Sequence, residues 1–194
     1  MIIYLHGFRS SPASWKSRLL AEEMARRGLA DQFICPALSP FPDVAMTAVS
    51  RLIEASKTPV TLIGSSLGGH YASHLAEKHG LNAVLINPAA LQGNFLPGAV
   101  DGVDVSKFIG EHANFHSGER FHFTAEHAAQ LKAQAVRPTP SRYWLLLETG
   151  DEVLDYHAAQ AFWFGCRQNI IEGGDHSFTR FPEFIPQILE FAGI

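Results

Sequence analysis

The sequence predicts an α/β fold in which a mostly parallel sheet of about six strands carries helices on both of its faces. Short, continuous apolar runs alternate along the chain with stretches of helical periodicity. Strands buried on both faces have such continuous apolar runs, and the helices between them imply right-handed parallel crossovers. With 194 residues, 46% of them hydrophobic, the chain has the length and the apolar content of a single domain, residues 1–194.

The strands are predicted from apolar runs that end at glycine, proline or polar residues. They cover residues 2–5, 33–35, 60–63, 83–86, 143–147 and 167–172. Helices are expected after each of the first three strands, between the last two and after the last. Ser11-Pro12 offers a helix start and Asp43 an N-cap, while Gly28 and Gly80 can end helices.

The stretch from Asn87 to Arg142 breaks this alternation, because no clear strand can be read in it. A loop of that length without structure is unusual inside a compact domain. We therefore predict a cap-like insertion after the fourth strand, residues 88–142, with helical pieces, one of them around residues 126–136.

The composition argues against several classes of partner. The chain has 15 basic and 19 acidic residues, a net charge of −4 and no basic run, so neither nucleic acid nor an anionic membrane is an expected partner. No apolar stretch approaches the roughly 20 residues of a membrane helix, and no basic segment precedes the first strand. Cys35 and Cys166 lack the spacing of a metal site or a disulfide framework, so a reducing, cytoplasmic location is expected.

A glycine-rich turn directly follows the third predicted strand and directly precedes a helix. Gly64-Ser65-Ser66-Leu67-Gly68 has the G-x-S-x-G pattern of a sharp strand-to-helix turn that exposes the central hydroxyl. The helix N-terminus that follows favours negative charge at that point. Ser66 is therefore the predicted nucleophile, and Ser65 is interpreted as structural.

A serine hydroxyl needs a base, which is usually a histidine oriented by a carboxylate. His176 follows the sixth predicted strand and Asp151 follows the fifth, which places both at the carboxyl edge of the sheet. Asp151 could instead be the N-cap of the next helix. Four other carboxylates compete for its role, and Asp155 is the strongest rival. They are Glu148, Glu152, Asp155 and Asp175.

The reaction also needs donors for a developing oxyanion. The backbone N–H of Leu67, next to the nucleophile, is one expected donor. The other is expected in the loop after the first strand, at Phe8 or, failing that, Gly7. His6, at the end of that strand, is interpreted as a histidine that braces the loop.

No metal or other cofactor is predicted. Two histidine pairs have the four-residue spacing that can chelate zinc, but neither has an evident third ligand. The pairs are His70 with His74 and His112 with His116. Residues 64–69 lack the lysine of a phosphate-binding loop and the spacing of a dinucleotide fingerprint.

Five blocks of sequence together resemble the α/β-hydrolase superfamily and, more narrowly, the small bacterial YqiA/YcfP-type esterases. The blocks occur in the same order over nearly the whole chain. They are YLHGFRSSP (residues 4–12), GSSLGG (64–69), INPA (86–89), TGDEVLDY (149–156) and EGGDHSF (172–178).

This resemblance implies a shortened α/β-hydrolase fold whose Ser, Asp and His roles fall on Ser66, Asp151 and His176. It also implies a small-molecule carboxylic ester or acyl thioester as substrate. The alternatives are a peptidase or acyltransferase on the same fold, and a non-catalytic ligand-binding protein. We further hypothesise that some aromatic residues of the insertion line an acyl pocket. They are Phe95, Phe108, Phe115, Phe121 and Phe123.

Overall fold

The computed structural model describes residues 1–91 and 102–194 of the chain. Among these residues six strands form one parallel sheet in the order β2-β1-β3-β4-β7-β8, and two more form a separate hairpin. The strands are β1 (Ile2–Leu5), β2 (Phe33–Ile34), β3 (Thr61–Ser65), β4 (Asn82–Ile86), β5 (Gly110–Ala113), β6 (Arg120–Phe123), β7 (Tyr143–Glu148) and β8 (Arg167–Ile171). The predicted α/β fold is confirmed, and the sheet is parallel throughout.

Six α-helices occur in the part of the chain that the structure describes. They are α1 (Trp15–Arg26), α2 (Pro42–Ala55), α3 (Leu67–His79), α4 (Ala125–Ala133), α5 (Tyr156–Phe162) and α6 (Phe181–Phe191). None of the helices in residues 1–91 or 102–194 has both the length and the apolar content to cross a bilayer.

The sheet has an apolar layer on each face, because successive side chains of a strand point to opposite faces. Ile2 and Tyr4 of β1 pack in one layer with residues of α1 and α6. Ile3 and Leu5 pack in the other with residues of α2 and α3. The predicted placement of helices on both faces is therefore confirmed.

The register of the central strands brings three loop starts to one edge of the sheet. Leu5, the last residue of β1, lies opposite Gly64 in β3, and Ser65 lies opposite Ile86 in β4. Because the strands are parallel, the segments that follow β1, β3 and β4 leave the sheet side by side.

The segment between β4 and β7 contains a helix, as predicted, and an antiparallel hairpin, which was not predicted. Helix α4 (Ala125–Ala133) overlaps the helical piece predicted around residues 126–136. The hairpin pairs Gly110 with Phe123 and Ala113 with Arg120, so the expectation of no strand in this segment is wrong. In β6 only Phe121 and Phe123 face inward, and so short an alternating signal is easily missed.

Two helix starts also differ from the prediction. Helix α2 begins at Pro42 with Phe41 as its N-cap, so Asp43 is not the cap. The Asp43 carboxylate instead accepts a hydrogen bond from Gln134 at 3.0 Å, a tertiary contact that local sequence does not encode. Helix α1 begins at Trp15, three residues after the predicted start.

Candidate active site

Ser66 occupies the sharp turn between β3 and α3. Its φ of 57° and ψ of −124° are a strained conformation for a residue with a side chain. Such strain is characteristic of functional turns. A Cβ atom on Gly64 would overlap the Gly68 carbonyl, and one on Gly68 would overlap the Leu5 carbonyl. Gly64 is therefore required for the end of β3 to lie against the start of α3, and Gly68 for the turn to pack against β1.

The structure brings Ser66, His176 and Asp151 together in one line of hydrogen bonds. The Ser66 Oγ lies 3.0 Å from His176 Nε2. On the other side of the ring, His176 Nδ1 lies 2.9 and 2.8 Å from the two carboxylate oxygens of Asp151. Carboxylate oxygens only accept, so Nδ1 carries the proton and Nε2 is free to accept one from the serine hydroxyl.

Asp151 is held in place by its own loop. Its side chain is 2% exposed, against 21% for His176. Its Oδ1 also accepts hydrogen bonds from the backbone N–H groups of Val153 and Leu154, at 2.9 and 2.8 Å. Asp151 is therefore not the N-cap of the next helix, whose N-cap is Asp155. Its carboxylate instead caps the turn at residues 151–154 and contacts His176 at the same time.

Three of the four competing carboxylates make other contacts, and the buried Oδ1 of the fourth, Asp175, has no hydrogen-bond partner among the described residues. Asp155 is the N-cap of α5 and accepts from the His157 backbone N–H and ring. Glu152 accepts from the His176 backbone N–H, and Glu148 accepts from the Asp175 backbone N–H. Neither contact involves the imidazole of His176.

Side chains that the sequence interpretation missed hold the loop between β8 and α6, which we call the His176 loop (residues 172–180). Buried Asn87 donates to the Asp175 carbonyl at 3.0 Å and accepts from the Glu148 backbone N–H at 3.0 Å. Lys16 of α1 donates to the Ser177 carbonyl. Asn87 directly after a buried strand is a signal that could have indicated such a role.

Two charged groups of this support are buried beside the site. Burial raises the pKa of the Glu148 carboxyl, whose side chain is fully enclosed. Burial also lowers the pKa of the Lys16 amine to about 8, although nearby Asp175, Glu148 and Asp151 act in the opposite direction. The loop that carries His176 thus rests on groups whose charge responds to pH.

The residues predicted to supply the oxyanion donors lie near Ser66. Leu67 is the first residue of α3, and Phe8 lies in the loop between β1 and α1, which we call the β1–α1 loop (residues 6–14). A Cβ atom on Gly7 would stand 3.6 Å from Ser66 Oγ, so this loop passes directly beside the hydroxyl. Within residues 1–91 and 102–194, no acceptor takes a hydrogen bond from the N–H of Gly7, Phe8 or Leu67.

His6 braces the β1–α1 loop. Its Nδ1 lies 3.0 Å from the Gly7 carbonyl, and its Nε2 accepts from the Leu38 backbone N–H at 3.2 Å. Burial lowers the pKa of His6, which keeps Nε2 available as an acceptor.

A cavity of about 410 Å³ opens beside Ser66 and His176. Phe115 lines it, and the Phe115 ring is largely exposed. Phe108, Phe121 and Phe123 instead pack around the Phe8 ring, with centroids 4.9 to 5.7 Å away. Of the five aromatic residues in the acyl-pocket hypothesis, Phe95 lies outside the described residues.

The paired histidines of the sequence have other contacts. His74 bonds to the Gln134 carbonyl and His112 to the Phe108 carbonyl, while His70 is buried. Among the residues that the structure describes, no three histidine, cysteine or acidic side chains are grouped so that they could hold a metal ion.

Comparisons with known proteins agree with this fold. The sequence profile of UPF0227, described as an uncharacterised protein family, matches residues 1–193. A protein from Agrobacterium vitis S4 superposes with a TM-score of 0.72 at 18% identity, covering 98% of this chain and 87% of that one. Mouse alpha/beta hydrolase domain-containing protein 10 has a TM-score of 0.68 at 19% identity, with 99% and 89% covered.

A third similar structure is a monoacylglycerol lipase from Paleococcus ferrophilus. It has a TM-score of 0.65 at 16% identity and covers 98% of this chain and 92% of the lipase. At these identities the likeness shows the fold, which is a shortened α/β-hydrolase fold.

Proposed function

The chain belongs to the UPF0227 family, and we propose that it is a serine hydrolase that cleaves carboxylic ester or acyl thioester bonds through an acyl-enzyme on Ser66. The observation that carries the proposal is the 3.0 Å contact of Ser66 Oγ with His176 Nε2, because that ring is held at its other nitrogen by Asp151. A nucleophile, a base and a group that orients the base are what acyl transfer requires.

In the first half-reaction the Ser66 oxygen attacks the acyl carbon and His176 Nε2 takes the hydroxyl proton. The charge that forms on the carbonyl oxygen is bound by the N–H groups of Leu67 and Phe8. The bond to the leaving alcohol or thiol then breaks, and His176 gives its proton to the departing oxygen or sulfur. Asp151 stabilises the imidazolium while it exists.

In the second half-reaction water attacks the acyl carbon of the Ser66 ester. His176 removes one water proton and returns it to the Ser66 oxygen as that bond breaks. The products are a carboxylic acid and the regenerated serine. The open cavity beside Ser66 supports this step because it gives water and small substrates access to the acyl group.

Activity toward nitrophenyl esters and acyl-coenzyme A thioesters of increasing chain length tests the proposal. The wild type should hydrolyse members of this panel and react with a fluorophosphonate probe. Ser66→Ala should abolish both. Ser73→Ala is the matched control, since Ser73 lies on α3 and its buried hydroxyl has no hydrogen-bond partner among the described residues.

The alternatives give different results in the same assay. Preference for amide substrates would indicate a peptidase, and transfer to an added alcohol in place of water would indicate an acyltransferase. A folded wild type that neither hydrolyses any ester nor reacts with the probe would refute the hydrolase proposal and favour a ligand-binding protein.

We also propose a small-molecule substrate and a cytoplasmic location. Cys35 and Cys166 are both unpaired, which suits a reducing compartment. Localisation of the tagged protein in fractionated cells would test this.

A further inference from the structure

The turn of the β5–β6 hairpin is bonded directly to the β1–α1 loop. Arg9 Nε donates to the Ala113 carbonyl at 2.8 Å, and the Phe115 N–H donates to the Arg9 carbonyl at 2.7 Å. Asn114 Nδ2 donates to the Ser10 carbonyl, also at 2.7 Å. The Arg9 guanidinium lies 4.1 Å from the centre of the Phe115 ring. We call these bonds and the stacked pair the hairpin–loop contact.

The contact acts on a strained part of the loop. Arg9 has a φ of 60°, in the left-handed region that residues with side chains rarely adopt. Both of its hydrogen-bonding partners, Ala113 and Phe115, belong to the hairpin. A conformation of this kind persists only where its surroundings enforce it, and here the surroundings are the hairpin.

The peptide group between Gly7 and Phe8 carries the Phe8 N–H. The Gly7 carbonyl of that peptide is held by His6 Nδ1 at 3.0 Å and by the Ser10 N–H at 3.2 Å. In a planar trans peptide the carbonyl and the following N–H point in opposite directions. Whatever holds the Gly7 carbonyl therefore also orients the Phe8 N–H, and Ser10 in turn is held by Asn114.

We propose that the β5–β6 hairpin positions the Phe8 N–H for the oxyanion, with Arg9 and Asn114 as positioning residues. The inference rests on the proposed serine hydrolase activity and assigns a role to part of the insertion. His6, directly after β1, holds one part of the loop, and the hairpin holds another. Without the hairpin–loop contact, the donor beside Ser66 would lose its fixed direction.

Asn114 allows the contact to be removed without disrupting the hairpin turn. Its Oδ1 accepts from the N–H groups of His116 and Ser117 at 2.8 and 3.0 Å, and these bonds shape the turn. Asn114→Asp keeps that acceptor and replaces the donor to the Ser10 carbonyl with a carboxylate oxygen, which repels the carbonyl. Arg9→Met removes the guanidinium, and Arg9→Lys restores a cation at the same place.

Steady-state kinetics on the best ester of the panel should separate positioning from binding. Asn114→Asp and Arg9→Met should lower kcat by about 10- to 100-fold, since a misplaced oxyanion donor weakens binding of the transition state alone. The KM should stay within about 2-fold. Arg9→Lys should recover part of the loss. Glu111→Gln, at an exposed hairpin ion pair with His122, is the control and should leave kcat unchanged.

A trifluoromethyl ketone gives a second measurement, because its adduct with serine places a negative oxygen where the oxyanion forms. Its inhibition constant should rise in parallel with the fall in kcat. The number of sites that a fluorophosphonate labels should stay at one per chain. Loss of labelled sites together with a lower Tm would mean that the variants merely unfold, and would overturn the proposal.

Amide hydrogen exchange makes the inference testable even if no substrate is found. In Asn114→Asp, exchange at the Ser10 N–H, which is bonded to the Gly7 carbonyl, should accelerate while the turn around Ser66 keeps its protection. Unchanged exchange in both variants would overturn the inference, as would unchanged kcat or an increase in KM alone. A wild type without ester hydrolysis or labelling refutes the proposed function instead, which distinguishes the two failures.

Discussion

Two loops lie beside Ser66, and they are held in different ways. The His176 loop is held by side chains from the ends of β4 and β7 and from α1, among them Asn87, Glu148 and Lys16. The β1–α1 loop is held by His6 and by the hairpin–loop contact. One loop is supported by the sheet and its covering helices, and the other by the segment inserted between β4 and β7.

The difference indicates how the site can vary. Support from strand ends is tied to the core, so changes there are expected to cost stability together with activity. Support from an exposed hairpin is separable from the core, so changes there are expected to alter the rate with little effect on folding. The following predictions test this comparison.

The largest effect is expected at the acid that orients His176. Asp151→Asn keeps an acceptor for the turn but cannot hold the imidazole in the required tautomer, so kcat should fall by about 10⁴-fold. Asp155→Asn, at the rival carboxylate, should change kcat by less than about 2-fold. Steady-state ester hydrolysis measures kcat of both variants. A larger loss of kcat in Asp155→Asn than in Asp151→Asn would assign the orienting acid to Asp155.

A smaller effect is expected from the two asparagines that hold the two loops. Asn87→Ala leaves buried backbone groups unpaired, so it should cost about 3 kcal/mol of unfolding free energy and lower kcat by about 100-fold. Asn114→Ala, in the partly buried hairpin turn, should cost about 1 kcal/mol or less. Urea unfolding of both variants gives the comparison, and equal stability losses would contradict the difference between the loops.

A pH effect above pH 8 should belong to the His176 loop. Because burial lowers the pKa of Lys16 from 10.5 to about 8, the unfolded chain binds the proton more tightly than the folded one in this range. The free energy of unfolding of the wild type, relative to that of Lys16→Met, should therefore rise by on the order of 2 kcal/mol as the pH increases from 8 to 10.5.

Urea unfolding at several pH values measures this difference, with Lys57→Met at an exposed lysine as the control. A difference between wild type and Lys16→Met that does not change over this pH range would show that the amine does not titrate as inferred.

The smallest effect is expected at the rim of the cavity. Phe115→Ala should raise KM by about 3-fold for long acyl chains and leave the KM for short chains unchanged, if its ring contacts the acyl group. The loss of its stacking with Arg9 should lower kcat equally for short and long chains. Ile109→Ala, an exposed apolar residue near the hairpin, is the control. If KM depends on acyl-chain length in the same way in the wild type and in Phe115→Ala, Phe115 does not belong to the acyl pocket.

The sequence predicted the parts of the fold whose signals are local. β1 and β7 are continuous apolar runs, and the turn at Ser66 has glycines where the backbones touch. The supports of the site could not be predicted in the same way. Asn87 and Lys16 act across long sequence separations, and their roles depend on which elements the fold places against the His176 loop.

The hairpin was missed for a related reason. Its strands are four residues long and pair only with each other within the described part of the chain, and two of the four residues of β6 are exposed. The resulting pattern is too short and too polar to distinguish from a loop.

The strand order has a consequence for the origin of the crevice itself. From the centre of the sheet the chain proceeds outward in one direction from β1 to β2, and in the other from β3 through β4 to β8. The loops that leave β1 and β3 therefore diverge onto opposite faces, and a gap must form between them at this topological switch point. The opening in which Ser66 lies thus follows from the order in which the strands are connected, and it does not depend on which side chains line it.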